Sequence, residues 1–259
     1  MRERVDVLGV GVDVTTMPRT LEGIEALIRR REHGYVCVTG VHGVMESRRD
    51  PELRRIHRDS RITVPDGRPM VWCGWAAGAR SIRQVRGVDL LACGCELAER
   101  RGWSVYFYGG APGTPELLAD RLLARFPGLV VAGTQSPPFR PLTRAEDEEV
   151  VARINASGAD VVWVGISTPK QERWMAAHLG RISPAVMIGV GAAFDVHAGL
   201  KAPGPRWAQL TGLEWLFRLS REPRRLWRRY LRNNPAFLAA VLLHPPRLYR
   251  QAPRGWSSR

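Results

Sequence analysis

Lysine is nearly missing from this chain: of 39 basic residues only Lys170 and Lys201 are not arginine, and 25 acidic residues oppose them. Cysteine is sparse as well. Cys37, Cys73, Cys93 and Cys95 show neither a CxxC pair nor a neighbouring histidine cluster, which excludes a zinc ribbon or disulfide framework and predicts reduced, mostly buried thiols in a cytosolic compartment. The longest apolar run, Ala236 to Leu243, lies between Pro235 and His244 and is less than half of the roughly 20 residues a membrane-spanning helix requires. Met1-Arg2-Glu3-Arg4-Val5 passes from charges straight into a strand-like alternation, so no export signal is expected. Internal repeats and low-complexity tracts are missing, which excludes solenoids and linker-like chains. A strand–GxGxxG–helix unit with a downstream ribose-binding acid is also missing, and with it the signature of a nicotinamide dehydrogenase.

What remains is 259 residues, 44% hydrophobic and 25% charged, enough for one large α/β domain or two small ones. Positive charge is in excess, at +14 overall, and it is unevenly placed. Arg206 to Arg259 holds twelve arginines against Glu214 and Glu222, which points to a polyanionic partner: a phospholipid surface, nucleic acid or a lipid-linked phosphate.

Strand-like runs at Val5–Val14, Tyr35–Thr39, Arg61–Val64, Val105–Tyr108, Leu129–Ala132, Val161–Ile166 and Val186–Val190 alternate with helical patterns. The helices are expected over Arg19–Arg31, Val44–Arg58, Pro115–Phe126, Arg144–Ala156 and Pro169–Leu179, with further helical stretches after Asp66-Gly67 and Gly87. This order predicts an α/β fold: a Rossmann-like, mostly parallel sheet with flanking helices, joined by right-handed crossovers. After Gly199 the strand signal stops and a proline-interrupted, arginine- and tryptophan-rich helical stretch follows. A boundary near 200 therefore separates an α/β body, 1–200, from a basic C-terminal helical appendage, 201–259.

Ligands of an open parallel sheet bind outside the carboxyl ends of its strands, so the strand-to-helix turns come first. Tyr108-Gly109-Gly110 leads to Gly113-Thr114-Pro115, with Thr114 as expected N-cap. Free amides there would face a phosphate, or the turn is simply tight and well capped. Ser167-Thr168-Pro169-Lys170-Gln171-Glu172 repeats the design with Thr168 as cap. Lys170 in a first helical turn is unfavourable without an anion, which favours a ligand phosphate or base edge near Lys170 and Gln171. Val64-Pro65-Asp66-Gly67 sets a carboxylate at a strand end, either as turn chemistry or as a general base. Gly189-Val190-Gly191-Ala192-Ala193-Phe194-Asp195 lets a ligand approach the backbone closely, or packs strand on helix with Asp195 as a cap. Arg83 and Arg86 precede Gly87 as candidate diphosphate clamps, surface solvation being the alternative. No Asp-x-Asp pair stands at a strand end, and Glu146-Asp147-Glu148-Glu149 reads as a solvated helix face rather than a cation cage.

Together these turns resemble the WecG/TagA/CpsF glycosyltransferases of bacterial surface-polysaccharide and teichoic-acid synthesis, glycosyltransferase family 26. The resemblance rests on Val64-Pro65-Asp66-Gly67, Gly87-Val88-Asp89-Leu90, Tyr108-Gly109-Gly110, Pro169-Lys170-Gln171-Glu172 with Trp174, Gly189 to Asp195, and Gly212-Leu213-Glu214-Trp215 running into Glu222-Pro223-Arg224-Arg225. It implies a UDP-sugar donor, with N-acetylmannosamine-type sugars as the weakest part of the expectation, and a polyprenyl-diphosphate-linked acceptor. It also implies inversion at the anomeric carbon, no metal or other cofactor, and peripheral association with the inner face of the plasma membrane. Asp66 falls at the family's catalytic-base position, and Gln171 and Asp195 fall where the nucleotide is contacted. Arg218, Arg224 and Arg225 fall in an appendage that closes over the site. The family's Thr-Pro-Asn appears here as Thr39-Gly40-Val41-His42, so Thr39 is retained, and either His42 stands in for the asparagine as a polar contact or the donor sugar differs. The family's Arg-Ala-Pro appears as Lys201-Ala202-Pro203.

The appendage interleaves Trp215, Phe217, Trp227 and Tyr230 with arginines. That composition suits an anionic membrane surface, which the resemblance favours. It also suits nucleic acid, the basis of an alternative reading as a nucleic-acid-binding protein, or a helical subdomain packed on the body. Donor sugar, linkage and oligomeric state, including a homo-oligomer, stay open at this stage.

Overall fold

The computed structural model describes residues 1–183 and 185–252; the side chains of Arg206, Gln209, Leu210, Arg225 and Arg229 lie outside that description. The chain opens with β1 (Arg2–Val7) and β2 (Val10–Asp13), then α1 (Met17–Arg29), β3 (Gly34–Thr39), α2 (Val41–Arg49), α3 (Pro51–Asp59), β4 (Ile62–Pro65), α4 (Arg68–Ala76) and α5 (Gly87–Arg101). It continues with β5 (Ser104–Gly109), α6 (Thr114–Arg125), β6 (Val130–Gln135), α7 (Arg144–Ser157), β7 (Val161–Gly165), α8 (Lys170–His178), β8 (Val186–Gly189) and α9 (Ala193–His197). The C-terminal part holds α10 (Arg206–Thr211), α11 (Glu214–Arg221), α12 (Pro223–Leu243) and β9 (Arg247–Gln251).

Strands β3, β5, β7 and β8 are apolar on both faces, and such runs pair in parallel beneath helices. They form a six-stranded parallel sheet of order β4-β3-β8-β7-β5-β6, the α/β Rossmann-like arrangement expected from the alternation. One face packs Phe107 and Trp163 against residues of α5 and α6 and against Phe194 of α9. The other packs Tyr35, Tyr108 and Met187 against residues of α3, α7 and α8. The cysteines are free thiols, with Cys37, Cys73 and Cys95 buried and Cys93 partly so.

Several local expectations are corrected. Val5–Val14 is not one strand but the hairpin β1–β2, because Leu8 and Gly9, at φ of 55° and 88°, make a two-residue turn of the kind that matches strand twist. Val44–Arg58 is two helices. Asp50 leaves the helical region and caps α3 by accepting from the amides of Glu52 and Leu53, and Pro51 supplies the first turn. Asp50→Ala is accordingly expected to cost about 1 kcal/mol, read as a lower urea midpoint at unchanged slope. Neither Thr114 nor Thr168 is an N-cap: α6 starts at Thr114 behind Gly113, and Thr168 donates instead to the Glu172 carboxylate at 2.8 Å.

The strand signal does not end at Gly199. β9 returns to pair antiparallel with β1, completing a three-stranded sheet of order β2-β1-β9 that periodicity over so short and charged a segment, Arg247-Leu248-Tyr249-Arg250, does not reveal. One face of this sheet carries Val5, Val7, Val10 and Val12 into a third core with Val44, Met45 and Met70, and Phe237 of α12 is buried in it at 3% exposure. Through Phe237 the C-terminal helix is thus packed into the same core as the N-terminal hairpin.

Candidate active site

A cleft of about 460 Å³ opens at the carboxyl ends of β3, β4 and β8. Val38, Asp66, Gln171 and Gly191 form its body side, and Glu214, Phe217, Arg218, Leu226 and Tyr230 of α11 and α12 form the facing wall. Asp66 is placed by its backbone: its amide donates to the Thr39 carbonyl at 2.9 Å, tying the end of β4 to the end of β3. The carboxyl is half-buried. Burial pushes it up to about 6, with Glu214 adding to the rise and Arg218 and Arg86 opposing it. A carboxylate that titrates near neutrality at the mouth of a sheet is suited to taking a proton from an alcohol.

Around it stand four cationic groups of the lining, Arg86, Lys201, Arg218 and Arg221. Arg86 reaches Glu214 at 3.6 Å and Asp89 at 3.5 Å, and Arg218 reaches the other Glu214 oxygen at 3.3 Å. Glu214 is therefore a carboxylate held between an arginine of the body and one of α11, the position a ligand phosphate would contest. Lys201 bridges Asp195 of α9 at 2.8 Å and Glu222 at 3.6 Å, so Asp195 joins the site through the lysine at its wall.

The two residues of the Pro169-Lys170-Gln171-Glu172 tetrad expected to face a phosphate or a base edge, Lys170 and Gln171, are separated by the structure. Ser167 takes a left-handed φ of 68°, uncommon for a residue with a side chain, and turns the chain sharply out of β7 at the cleft. Lys170 is exposed and outside the cleft lining. Gln171, 2% exposed, donates through Nε2 to Glu172 at 3.1 Å, and its Oε1 has no partner. Glu172 is fully buried, and burial raises its carboxyl, with the Thr168 hydroxyl and the Gln171 amide acting against the rise. This pair fixes the amide so that an unpaired carbonyl oxygen lies 3.5 Å from where a side chain on Gly191 would start. Such an oxygen accepts an N–H of a base or an acetamido group. Glu172 was missing from the residues singled out in the sequence; its position inside the tetrad was the available signal.

The remaining candidates are elsewhere. Thr39 lies beside Asp66 through its backbone, but its side chain is buried and shares a 2.8 Å hydrogen bond with His57, whose imidazole burial lowers to about 4. His42 accepts from Asn233 of α12 at 3.2 Å, and Arg49 donates to the same asparagine at 3.0 Å. His42 thus links α2 to α12 and does not line the cleft. Arg83 donates to the carbonyls of Arg80 and Ile82 at 2.7 and 2.9 Å, and it is Arg86 that faces the cleft. Gly109 allows β5 and β7 to approach, since a Cβ there would sit 2.6 Å from the Gly165 backbone. The Gly110 amide is used on the Gly165 carbonyl at 3.1 Å, and neither glycine lines the cleft. Arg224 is exposed outside it, and the side chain of Arg225 is outside the described residues. Phe217 and Tyr230, which the sequence left open between a membrane surface, nucleic acid and packing on the body, line the cleft together with Leu226.

The sequence profile of the glycosyl transferase WecG/TagA/CpsF family matches residues 5–251. An "N-acetylglucosaminyldiphosphoundecaprenol N-acetyl-beta-D-mannosaminyltransferase" of Bacillus spizizenii is 29% identical over 77% of this chain and 75% of its own. A protein of the same description from Staphylococcus aureus strain MW2 is 27% identical over 92% of both chains. A match running from the first hairpin to the last strand, with Asp66, Gln171, Arg86 and Arg218 lining one cleft, makes this chain a glycosyltransferase of the WecG/TagA/CpsF family.

Proposed function

We propose that the enzyme transfers a sugar, of the N-acetylmannosamine type, from a UDP-sugar to a polyprenyl-diphosphate-linked saccharide, inverting the anomeric centre and using no metal. The observation that carries this reading is the cleft itself, where Asp66, Gln171, Arg86 and Arg218 share one cavity. Asp66 takes the proton of the acceptor hydroxyl. The hydroxyl oxygen forms the new bond to the anomeric carbon from the face opposite the diphosphate, and the carbon–oxygen bond to UDP breaks. Charge growing on the departing diphosphate is met by Arg86, Arg218 and Lys201, cations that can do this work in place of Mg²⁺. The relatives' printed names support the acetamido-sugar donor and the undecaprenyl-diphosphate acceptor.

Among the described residues no helix is long and apolar enough to cross a membrane. Contact with the lipid acceptor is instead assigned to an outer face of α12. Trp227, Leu231, Leu238 and Leu242, exposed by 45 to 81%, recur at helical spacing, and Arg224, Arg228 and Arg232 flank them. This face supports the reading of an enzyme peripheral to the inner face of the plasma membrane, in surface-polysaccharide or teichoic-acid-like synthesis.

Purified enzyme supplied with undecaprenyl-diphosphate-linked N-acetylglucosamine and a panel of UDP-sugars should release UDP, with UDP-N-acetylmannosamine the best donor and chelator without effect. Turnover with no member of the panel, or a requirement for added divalent cation, would overturn the corresponding part.

A further inference from the structure

On the side of the three-stranded sheet facing away from the Val5–Val7 core, a second cavity of about 470 Å³ separates that sheet from α3, sharing no lining residue with the catalytic cleft. Its lining has three arginines, Arg54, Arg55 and Arg58, on two successive turns of one helix, against a single carboxylate, Asp6. The carboxylate is committed, accepting from the Gly9 amide at 2.6 Å to hold the hairpin turn. Arg54 is anchored by donating to the carbonyls of Ser47 and Arg48 at 3.3 and 3.1 Å. Among the described residues Arg58 has one ion pair, with its neighbour Asp59 at 3.7 Å, and Arg55 has none. Elsewhere exposed arginines find acids one helical turn away, as in Arg144–Glu148 at 2.8 Å and Arg153–Glu149 at 2.5 Å. Like charges one turn apart, as at Arg54 and Arg58, oppose the helix that carries them unless an anion comes between.

The facing wall is shaped for such an anion. Tyr249 of β9 brings its hydroxyl over Gly11, where any side chain would collide with it, so the glycine keeps this wall open. Where a side chain on Gly11 would begin lies the guanidinium of Arg4, 0% exposed and paired with Asp13 at 3.5 Å, whose Nε has no hydrogen-bond partner and would sit 3.1 Å from a Cβ on Gly11. Three arginines from the helix, a phenol hydroxyl and this buried guanidinium on the same side of the sheet form the donor set that recognises phosphate oxygens.

We propose that this groove is a second anion site, separate from the catalytic cleft, which binds a phosphate or diphosphate group through Arg54, Arg55, Arg58 and the Tyr249 hydroxyl. A lipid headgroup and a soluble phosphate share this chemistry.

Inorganic pyrophosphate titrated calorimetrically into full-length protein saturated with UDP, at constant ionic strength, tests it. Wild type should bind pyrophosphate with UDP in place. The double variant Arg55→Gln/Arg58→Gln should lose about a hundredfold in affinity, about tenfold per guanidinium, with UDP affinity unchanged. Arg144→Gln/Arg153→Gln, which removes equal charge from α7, should leave pyrophosphate affinity as in wild type. Absence of pyrophosphate binding beside UDP, equal affinity in the groove variant, or equal loss in the α7 variant would each overturn the site. Failure of UDP itself to bind would count against the catalytic cleft, while the difference between wild type and groove variant would still report on the groove. Co-sedimentation with phosphatidylglycerol vesicles then separates the sources. Reduced retention of the groove variant identifies a lipid headgroup, and unchanged retention with lost pyrophosphate binding identifies a soluble phosphate.

Discussion

Replacing Asp66 with asparagine is expected to lower turnover between about 100- and 10,000-fold while UDP affinity changes little, because the amide keeps the shape of the carboxyl but cannot accept the acceptor's proton. Single-turnover transfer and calorimetric UDP binding check the two halves. The same substitution should make the protein more stable at neutral pH. Burial raises the Asp66 carboxyl to about 6, so folding favours its protonated form, and the stability that protonation provides is fully present below the unfolded carboxylate range and lost as pH rises through about 6. Asparagine removes that loss. The urea midpoint of Asp66→Asn should therefore exceed that of wild type above pH 6 and approach it in acid. A base whose ionised form costs stability is the expected signature of a working site rather than of a structural carboxylate.

The second large effect lies away from the chemistry. Arg4 is fully buried and ties β1 to three other strands: it donates to the Gly11 carbonyl at 2.5 Å, the Thr63 hydroxyl at 3.0 Å and the Gln251 side chain at 2.7 Å, and it pairs with Asp13 at 3.5 Å. Asp13 is itself 6% exposed. Burial raises its carboxyl, and Arg4, Arg2 and the Thr63 amide oppose the rise. Arg4→Met leaves that carboxylate buried without its partner and should cost about 3–5 kcal/mol near neutral pH, measured by urea unfolding. The sign of its pH dependence follows from Asp13. Removing the arginine raises the folded-state carboxyl further, so the penalty should shrink as the pH falls and the group protonates. Arg4→Met/Asp13→Asn should lose less than the sum of its single variants, and simple additivity would show that the pair is not coupled.

Much of the body was readable because its strands are both short and apolar on two faces. Val161–Gly165 and Val186–Gly189 emerge within a residue of expectation, and Asp66 at a strand mouth needed only the rule that parallel sheets bind at their carboxyl ends. The hairpin was hidden because Leu8 is an unusual residue for a left-handed turn position, so Val5 to Val14 reads as continuous. β9 was hidden because its exposed, arginine-rich residues acquire strand structure only by pairing with β1, a contact between the two ends of the chain. Site residues divided in the same way. Asp66, Arg86, Gln171 and Arg218 sit on elements whose ends point at the cleft. The directions of Arg83 and His42 depend on a local carbonyl and on α12, which spacing does not encode. Glu214 and Lys201 act through pairs formed between the body and the C-terminal helices, legible only once those helices are folded back.

The most direct test of Asp66 as the base in this cleft is the pH dependence of kcat/KM for wild type and Glu214→Gln. Asp66 chemistry predicts an acid limb near pH 6 in wild type, activity falling as the carboxylate protonates, and a limb displaced to lower pH when the repulsion of Glu214 is removed. A flat acid side in wild type, or a limb that stays in place in Glu214→Gln, would contradict it.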